Sequence, residues 1–157
     1  MTLRSSKYSA PPKPVRKREW GRVELRAGAD YRAASSTAAE PAWGLRVGAG
    51  YFVLPERLSL DLRGTVASGA DGFGAAYQIR AGVRAHVRVP LTFLFAGAAM
   101  GYGSSDGGDG IVIEAEAGLR LAASRWVAPE LTVAYQLTQG EEWGHQLRVG
   151  AGLAVSF

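Results

Sequence analysis

From Leu147 to Phe157 the chain alternates without a break. Leu147, Val149, Ala151, Leu153, Val155 and Phe157 are apolar or small, and Gln146, Arg148, Gly150, Gly152, Ala154 and Ser156 between them are polar or tiny. A period of two puts one set on each face of a β-strand. The same pattern recurs upstream, giving eight candidate strands: Arg18–Tyr31, Ala42–Val53, Arg57–Ala67, Phe73–Val89, Leu91–Tyr102, Gly110–Ala122, Trp126–Leu137 and Trp143–Phe157. Their spacing and turn signals describe an all-β meander, not βαβ units. No run of about 18 apolar residues exists, which excludes a transmembrane helix. The 21 glycines lower the helix expectation further and suit closely packed, sharply bent strands.

Parity assigns the faces. One face carries Val23, Leu25, Tyr31, Leu45, Val47, Tyr51, Leu60, Leu62, Tyr77, Ile79, Val83, Ile111, Ile113, Leu131, Val133 and Tyr135 with no interrupting charge. The other carries Arg22, Glu24, Arg26, Asp30, Arg46, Asp61, Arg63, Arg80, Arg84, Arg88, Glu114, Glu116, Arg120, Glu130 and Arg148, that is, nine arginines and six acids. Parity alone does not say which face is inside. Three features favour the apolar face outward: many Ala and Val with aromatics at strand ends, strands longer than the usual five or six residues, and a terminal Phe. Leu91–Tyr102 is apolar on both faces and has no readable register. A bulge there, or small residues facing bulky arginines, would explain it.

Charge divides the chain in two. Residues 1–17 hold Arg4, Lys7, Lys13, Arg16 and Lys17 and no acid, and the remainder has thirteen Arg against fourteen Asp and Glu. Every lysine lies in that first segment, which contains Ala10-Pro11-Pro12-Lys13-Pro14 and reads as an extended or disordered basic tail or linker. Residues 18–157 are then the barrel. The tail has no apolar core of the length a secretory signal requires. An exported form would have had its signal removed, or the tail joins a preceding domain. Arginine alone serves as cation beyond it, and arginine is the side chain suited to bidentate, desolvated ion pairs.

The pattern resembles the small eight-stranded bacterial outer-membrane barrels of the OmpA/OmpX type. The resemblance spans about Trp20 to Phe157 and rests on strand count, parity, loop asymmetry and the closing segment. It implies an eight-stranded antiparallel up-and-down transmembrane β-barrel with short periplasmic turns and modest extracellular loops. Leu54-Pro55-Glu56, Val89-Pro90-Leu91 and Ala123-Ser124-Arg125 would be the turns, and Arg32–Pro41, Ser68–Gly72, Gly103–Gly110 and Thr138–Glu142 the loops. It implies residence in the bacterial outer membrane with the tail in the periplasm. Implied partners are outer-membrane lipid and lipopolysaccharide, and the barrel-assembly machinery reading Leu147, Val149, Leu153, Val155 and Phe157 as its signal. The chain would be a monomer that binds no nucleic acid.

Eight strands leave an interior just wide enough to fill with side chains. An interior network of Arg22, Glu24, Arg26, Asp61, Arg63, Arg80, Arg84, Glu114, Glu116, Arg120, Glu130 and Arg148 is expected, each acid shared between arginines. The function expected is that of a non-enzymatic structural or anchoring barrel. Three unmatched arginines leave open a narrow anion-preferring channel. The pattern also admits a cell-surface interaction protein or a soluble barrel binding an apolar ligand. The loops carry Glu40, Asp71, Asp106, Asp109, Glu141 and Glu142 with only Arg32 opposing, and little apolar content for a binding hot spot. His86 and His145 have no serine beside them in sequence. No catalytic, metal or cofactor residues are therefore assigned, and no cofactor is expected.

Overall fold

The computed structural model describes residues 22–34, 42–68, 75–105, 108–121, 123–124, 126–139 and 143–157. The basic tail therefore lies outside the described residues. Eight strands follow one another: β1 (Val23–Ala34), β2 (Ala42–Leu54), β3 (Leu58–Ser68), β4 (Ala75–Val89), β5 (Thr92–Ser105), β6 (Gly108–Leu121), β7 (Val127–Gln139) and β8 (Trp143–Ser156). Each pairs antiparallel with the next, and β1 pairs with β8 from Glu24↔Ser156 to Ala34↔Gln146, so the sheet closes into a barrel. Closure leaves no sheet edge open to another chain. It extends to the last residue: the Phe157 amide donates to the Val23 carbonyl at 2.9 Å.

The barrel has a turn end, with the short β2–β3, β4–β5 and β6–β7 connections, and a loop end. One expected loop is strand over most of its described length. β5 and β6 stay paired to Ser105↔Gly108, leaving residues 106–107 between them, where Gly103–Gly110 was expected. At the turn end Glu56 and Leu91 adopt positive φ, 57° and 62°, each directly after a proline that fixes the preceding φ.

Inside and outside are reversed relative to a water-soluble domain. Leu45, Val66, Ile79, Val87 and Met100 stand exposed on the outer wall, whereas the arginines and acids of the inner wall are buried. Exposed aromatics gather near both ends of the wall: Tyr31, Trp43, Tyr77 and Tyr102 towards the loops, Tyr51, Trp126 and Phe157 towards the turns. Tyr31 and Trp43 meet, with ring centroids 5.0 Å apart. Trp20, where the resemblance begins, lies outside the described residues.

The strand that parity could not read is set by its neighbours. β4 pairs with β5 through Arg84↔Gly97 and Ala85↔Ala96. That register turns Phe93, Phe95 and Ala99 into the interior and Leu94, Met100 and Tyr102 outward. The small inward residues expected there are Gly97, Ala99, Gly101 and Gly103. Gly101 lies against β4 so closely that an added Cβ would stand 1.9 Å from the Ile79 carbonyl oxygen.

Candidate functional site: the charged barrel interior

Eight arginines (Arg26, Arg32, Arg46, Arg63, Arg80, Arg84, Arg120, Arg148) and six acids (Glu24, Asp30, Asp61, Glu114, Glu116, Glu130) are buried among the described residues. This membership differs from the expected one at three positions. Arg22 precedes the first residue of β1 and is exposed. Arg88 sits where β4 outruns β3, its side chain 53% exposed, and pairs with Glu56 of the β2–β3 turn at 3.3 Å. Arg32, expected in a loop, is inward because β1 continues to Ala34 and keeps its parity. The surplus of arginine is therefore two, not three.

Eight of these groups form a closed alternating circuit in the turn-end half. Glu24 accepts from Arg26, and Arg26 Nη2 reaches Asp61 at 3.0 Å. Asp61 accepts from Arg63 at 3.0 Å, and Arg63 Nη2 lies 2.6 Å from Glu116. Glu116 is bound by Arg84 through Nε at 2.8 Å and Nη2 at 3.2 Å, a side-on fork. Arg84 Nη1 continues to Glu130 at 3.1 Å. Glu130 accepts from Arg120 at 2.7 Å, and Arg120 returns to Glu24 at 2.9 Å. Four arginines and four carboxylates thus alternate, each touching two of the opposite sign. A buried charge is costly unless paired with good geometry, and sharing around a ring pairs every member twice. Phe95, from the strand of unreadable register, places its ring 4.1 Å beneath the Arg84 guanidinium.

The remaining charges lie in the loop-end half and do not balance. Glu114 accepts from Arg80, from Arg148 at 2.7 Å and from Arg63 at 3.1 Å, which joins it to the circuit. Asp30 accepts from Arg148. Arg80 also reaches Thr65 at 2.5 Å, and Arg46 reaches Thr132 at 3.1 Å. Inward glycines give these long side chains room. A Cβ on Gly50 would stand 2.8 Å from both Arg26 Nη2 and Asp61 Oδ1. On Gly150 it would stand 2.9 Å from Thr132 Oγ1 and 3.2 Å from the Ala29 carbonyl oxygen. Gly150→Arg and Gly150→Glu are each expected to lower the urea midpoint of the refolded protein by the equivalent of about 1–3 kcal/mol, because volume and not sign is limiting. A Gly150→Glu protein as stable as the parent would refute this.

His86 was not foreseen as an interior group, although it shares the parity of Arg84. Nor does the separation of serine from histidine in sequence survive folding: the β3–β4 pairing brings Ser59 Oγ to 3.1 Å from His86 Nε2. Ser59 donates its one proton to Asp61 at 3.1 Å, so the imidazole donates to the serine oxygen. Ser59 is fully buried, and its carboxylate partner binds the hydroxyl and not the imidazole. That order is the reverse of a nucleophile–base–orienter chain. It ties His86 to the ion circuit, beside a pocket of about 480 Å³ lined by Pro55, Glu56, Arg57, His86, Val87 and Arg88. His145 stands on the outer wall, stacked on Tyr135 at 6.4 Å. Among the described residues no cluster of three or more His, Asp or Glu side chains is arranged to hold a metal ion. Of the loop acids only Asp109 is described, on β6 opposite Ser104.

In the closing strand, Leu147, Val149 and Leu153 face outward and are exposed, Val155 is half-buried, and Phe157 is exposed at the turn end.

Neither a protein-family profile nor the sequence of a curated protein matches the chain. Solved structures match its fold. The crystal structure of Neisserial surface protein A (NspA) aligns with a TM-score of 0.76 at 18% identity, covering 86% of this chain and 97% of its own. The outer-membrane protein OprG from Pseudomonas aeruginosa aligns at 0.58 and 9% identity, covering 88% and 97%. Ail, the attachment invasion locus protein of Yersinia pestis, aligns at 0.55 and 13% identity, covering 88% and 99%. The shared property is the fold: the eight-stranded closed antiparallel barrel of small outer-membrane proteins.

Proposed function

We propose that this chain is an integral protein of the bacterial outer membrane. It acts as a structural or anchoring barrel whose interior is sealed by ion pairs instead of serving as a reaction site or a wide pore. The reading is carried by one observation, the inversion of the wall: charges buried within, large apolar side chains exposed around the whole circumference. An apolar outer surface of that extent in water would drive aggregation, whereas acyl chains solvate it. Strands of 11–15 residues are long enough. At about 3.3 Å per residue and a tilt near 40° they span the roughly 25 Å apolar band of such a bilayer. The aromatics at both ends then lie at the two interfaces. Residues 1–17 belong on the periplasmic side with the turn end. Lipid and lipopolysaccharide surround the wall, the assembly machinery engages Leu147–Phe157, and the closed sheet suits a monomer.

Protein refolded in detergent should migrate differently on a gel before and after boiling, because the hydrogen-bonded cylinder resists detergent. In a planar bilayer it should give no steady conductance steps, since the circuit of Arg84 and its partners fills the cross-section. Anion-selective steps would replace the sealed-barrel reading with the narrow channel that the two surplus arginines allow. A monomer soluble in plain buffer, with no gel shift, would overturn both.

A further inference from the structure

The uncompensated charge is not spread through the interior. The turn-end circuit is neutral, four against four, and the loop-end half holds Arg32, Arg46, Arg80 and Arg148 against Asp30 and Glu114. Within that half Arg80 and Arg148 share the two acids, Arg46 bonds Thr132 Oγ1 instead of a carboxylate, and Arg32 is left facing Arg148. Arg32 and Arg148 are direct register partners across the β1–β8 seam, both inward and both buried, at 5% and 2% exposure. Like charges directly opposite one another on a sheet repel. Arg148 directs its two Nη groups to Asp30 and Glu114 and keeps a buried Nε with no hydrogen-bond partner. Arg32 makes no ion pair among the described residues, and its Nε and Nη2 are buried without a partner. The unpartnered Asp30 oxygen, Oδ1, lies against Gly44 of β2, on the side of β1 away from the seam.

We propose that the Arg32–Arg148 seam binds a small monovalent anion of chloride size, held by Arg32 Nε and Nη2 and by Arg148 Nε. Buried guanidinium N–H groups left without an acceptor are costly, and a bound halide supplies both the charge and the acceptor that Arg32 Nε and Nη2 and Arg148 Nε lack. Two arginines opposed across a seam suit a single small sphere better than a tetrahedral oxyanion, which would need room and further donors. The proposal stands whether the barrel anchors or conducts, since it concerns occupancy and not flow.

The test is urea unfolding of the refolded barrel in zwitterionic detergent. Sodium gluconate is replaced stepwise by sodium chloride at constant ionic strength, with sodium phosphate as a separate arm. Parent protein should show a midpoint that rises and saturates with chloride, and little response to phosphate. Arg32→Met should be insensitive to chloride and no less stable than the parent in gluconate, because it removes an unpaired buried charge. Arg32→Gln should keep a weakened response, with chloride affinity lower by about tenfold or more, the scale of a lost charge-assisted hydrogen bond. Line broadening of the chloride resonance by parent but not by Arg32→Met reads the same site without unfolding. An equal midpoint in chloride and gluconate, or an equal chloride response in parent and Arg32→Met, would overturn the proposal. A response to phosphate alone would overturn the halide assignment.

Discussion

Replacing Arg84 by Met should cost the folded barrel about 3–5 kcal/mol, the largest effect expected of any interior substitution. Arg84 is the member with the most partners: two bonds to Glu116, two to Glu130, an approach of 3.5 Å to Asp61 and the Phe95 ring below. Met fills much of the volume, so packing is largely kept while three buried carboxylates lose a shared cation. Breaking a buried pair from one side leaves the other side charged and unsolvated, which costs more than the pair was worth. Arg84→Lys restores the charge but not the fork, and a compact ammonium does not span two carboxylates on different strands. It should fall between parent and Met. Adding Glu130→Gln to Arg84→Met should recover part of the loss, since it removes one orphaned charge. Urea unfolding followed by the unheated gel band would measure all four proteins. A loss below about 1 kcal/mol for Arg84→Met would mean that water, not the neighbouring arginines, sustains these acids.

On the outer wall the largest effect is expected from Leu153→Arg. Leu153 projects outward from β8, half exposed, between Ala27 of β1 and Pro129 of β7. An arginine on the lipid face costs about 2–4 kcal/mol near the midplane and falls towards zero at the interfaces. The substitution also breaks the alternation of the closing strand, so it should reduce insertion as well as stability. Leu153→Ala separates the two, because it shortens the side chain without adding charge. The fraction of gel-shifted protein after refolding into vesicles is the readout. Assembly of Leu153→Arg at the parent yield would show that this face does not meet lipid.

Sequence was most informative where one face of a strand is uniformly apolar. β8 reads correctly from Leu147 onward because each apolar residue is answered by a polar or tiny one. β5 does not, because its inward positions are Phe93, Phe95, Gly97 and Ala99, as apolar as its outward ones. Only the pairing of Arg84 with Gly97 reveals that small residues there make way for a guanidinium and that Phe95 supplies its bed. Arg32 was misplaced for a different reason. Strand ends are where local pattern is weakest, and two more residues of pairing with β8 decide whether it points into a loop or into the interior. The composition of the circuit was legible from parity, but its connectivity was not. Arg120 meets Glu24 across 96 residues of chain and Arg63 meets Glu114 across 51, contacts that exist only once the sheet has curled.

The strand origins of the circuit bear on the order of assembly. Glu24 and Arg26 come from β1, Asp61 and Arg63 from β3, Arg84 from β4, Glu116 and Arg120 from β6, and Glu130 from β7. None comes from β8. A curled sheet of seven strands therefore already holds all eight partners, and its ions can exchange water for one another before the seam is shut. The last strand is spared the work of dehydrating that half of the lumen. Its own buried charge, Arg148, arrives with β8 to face Arg32.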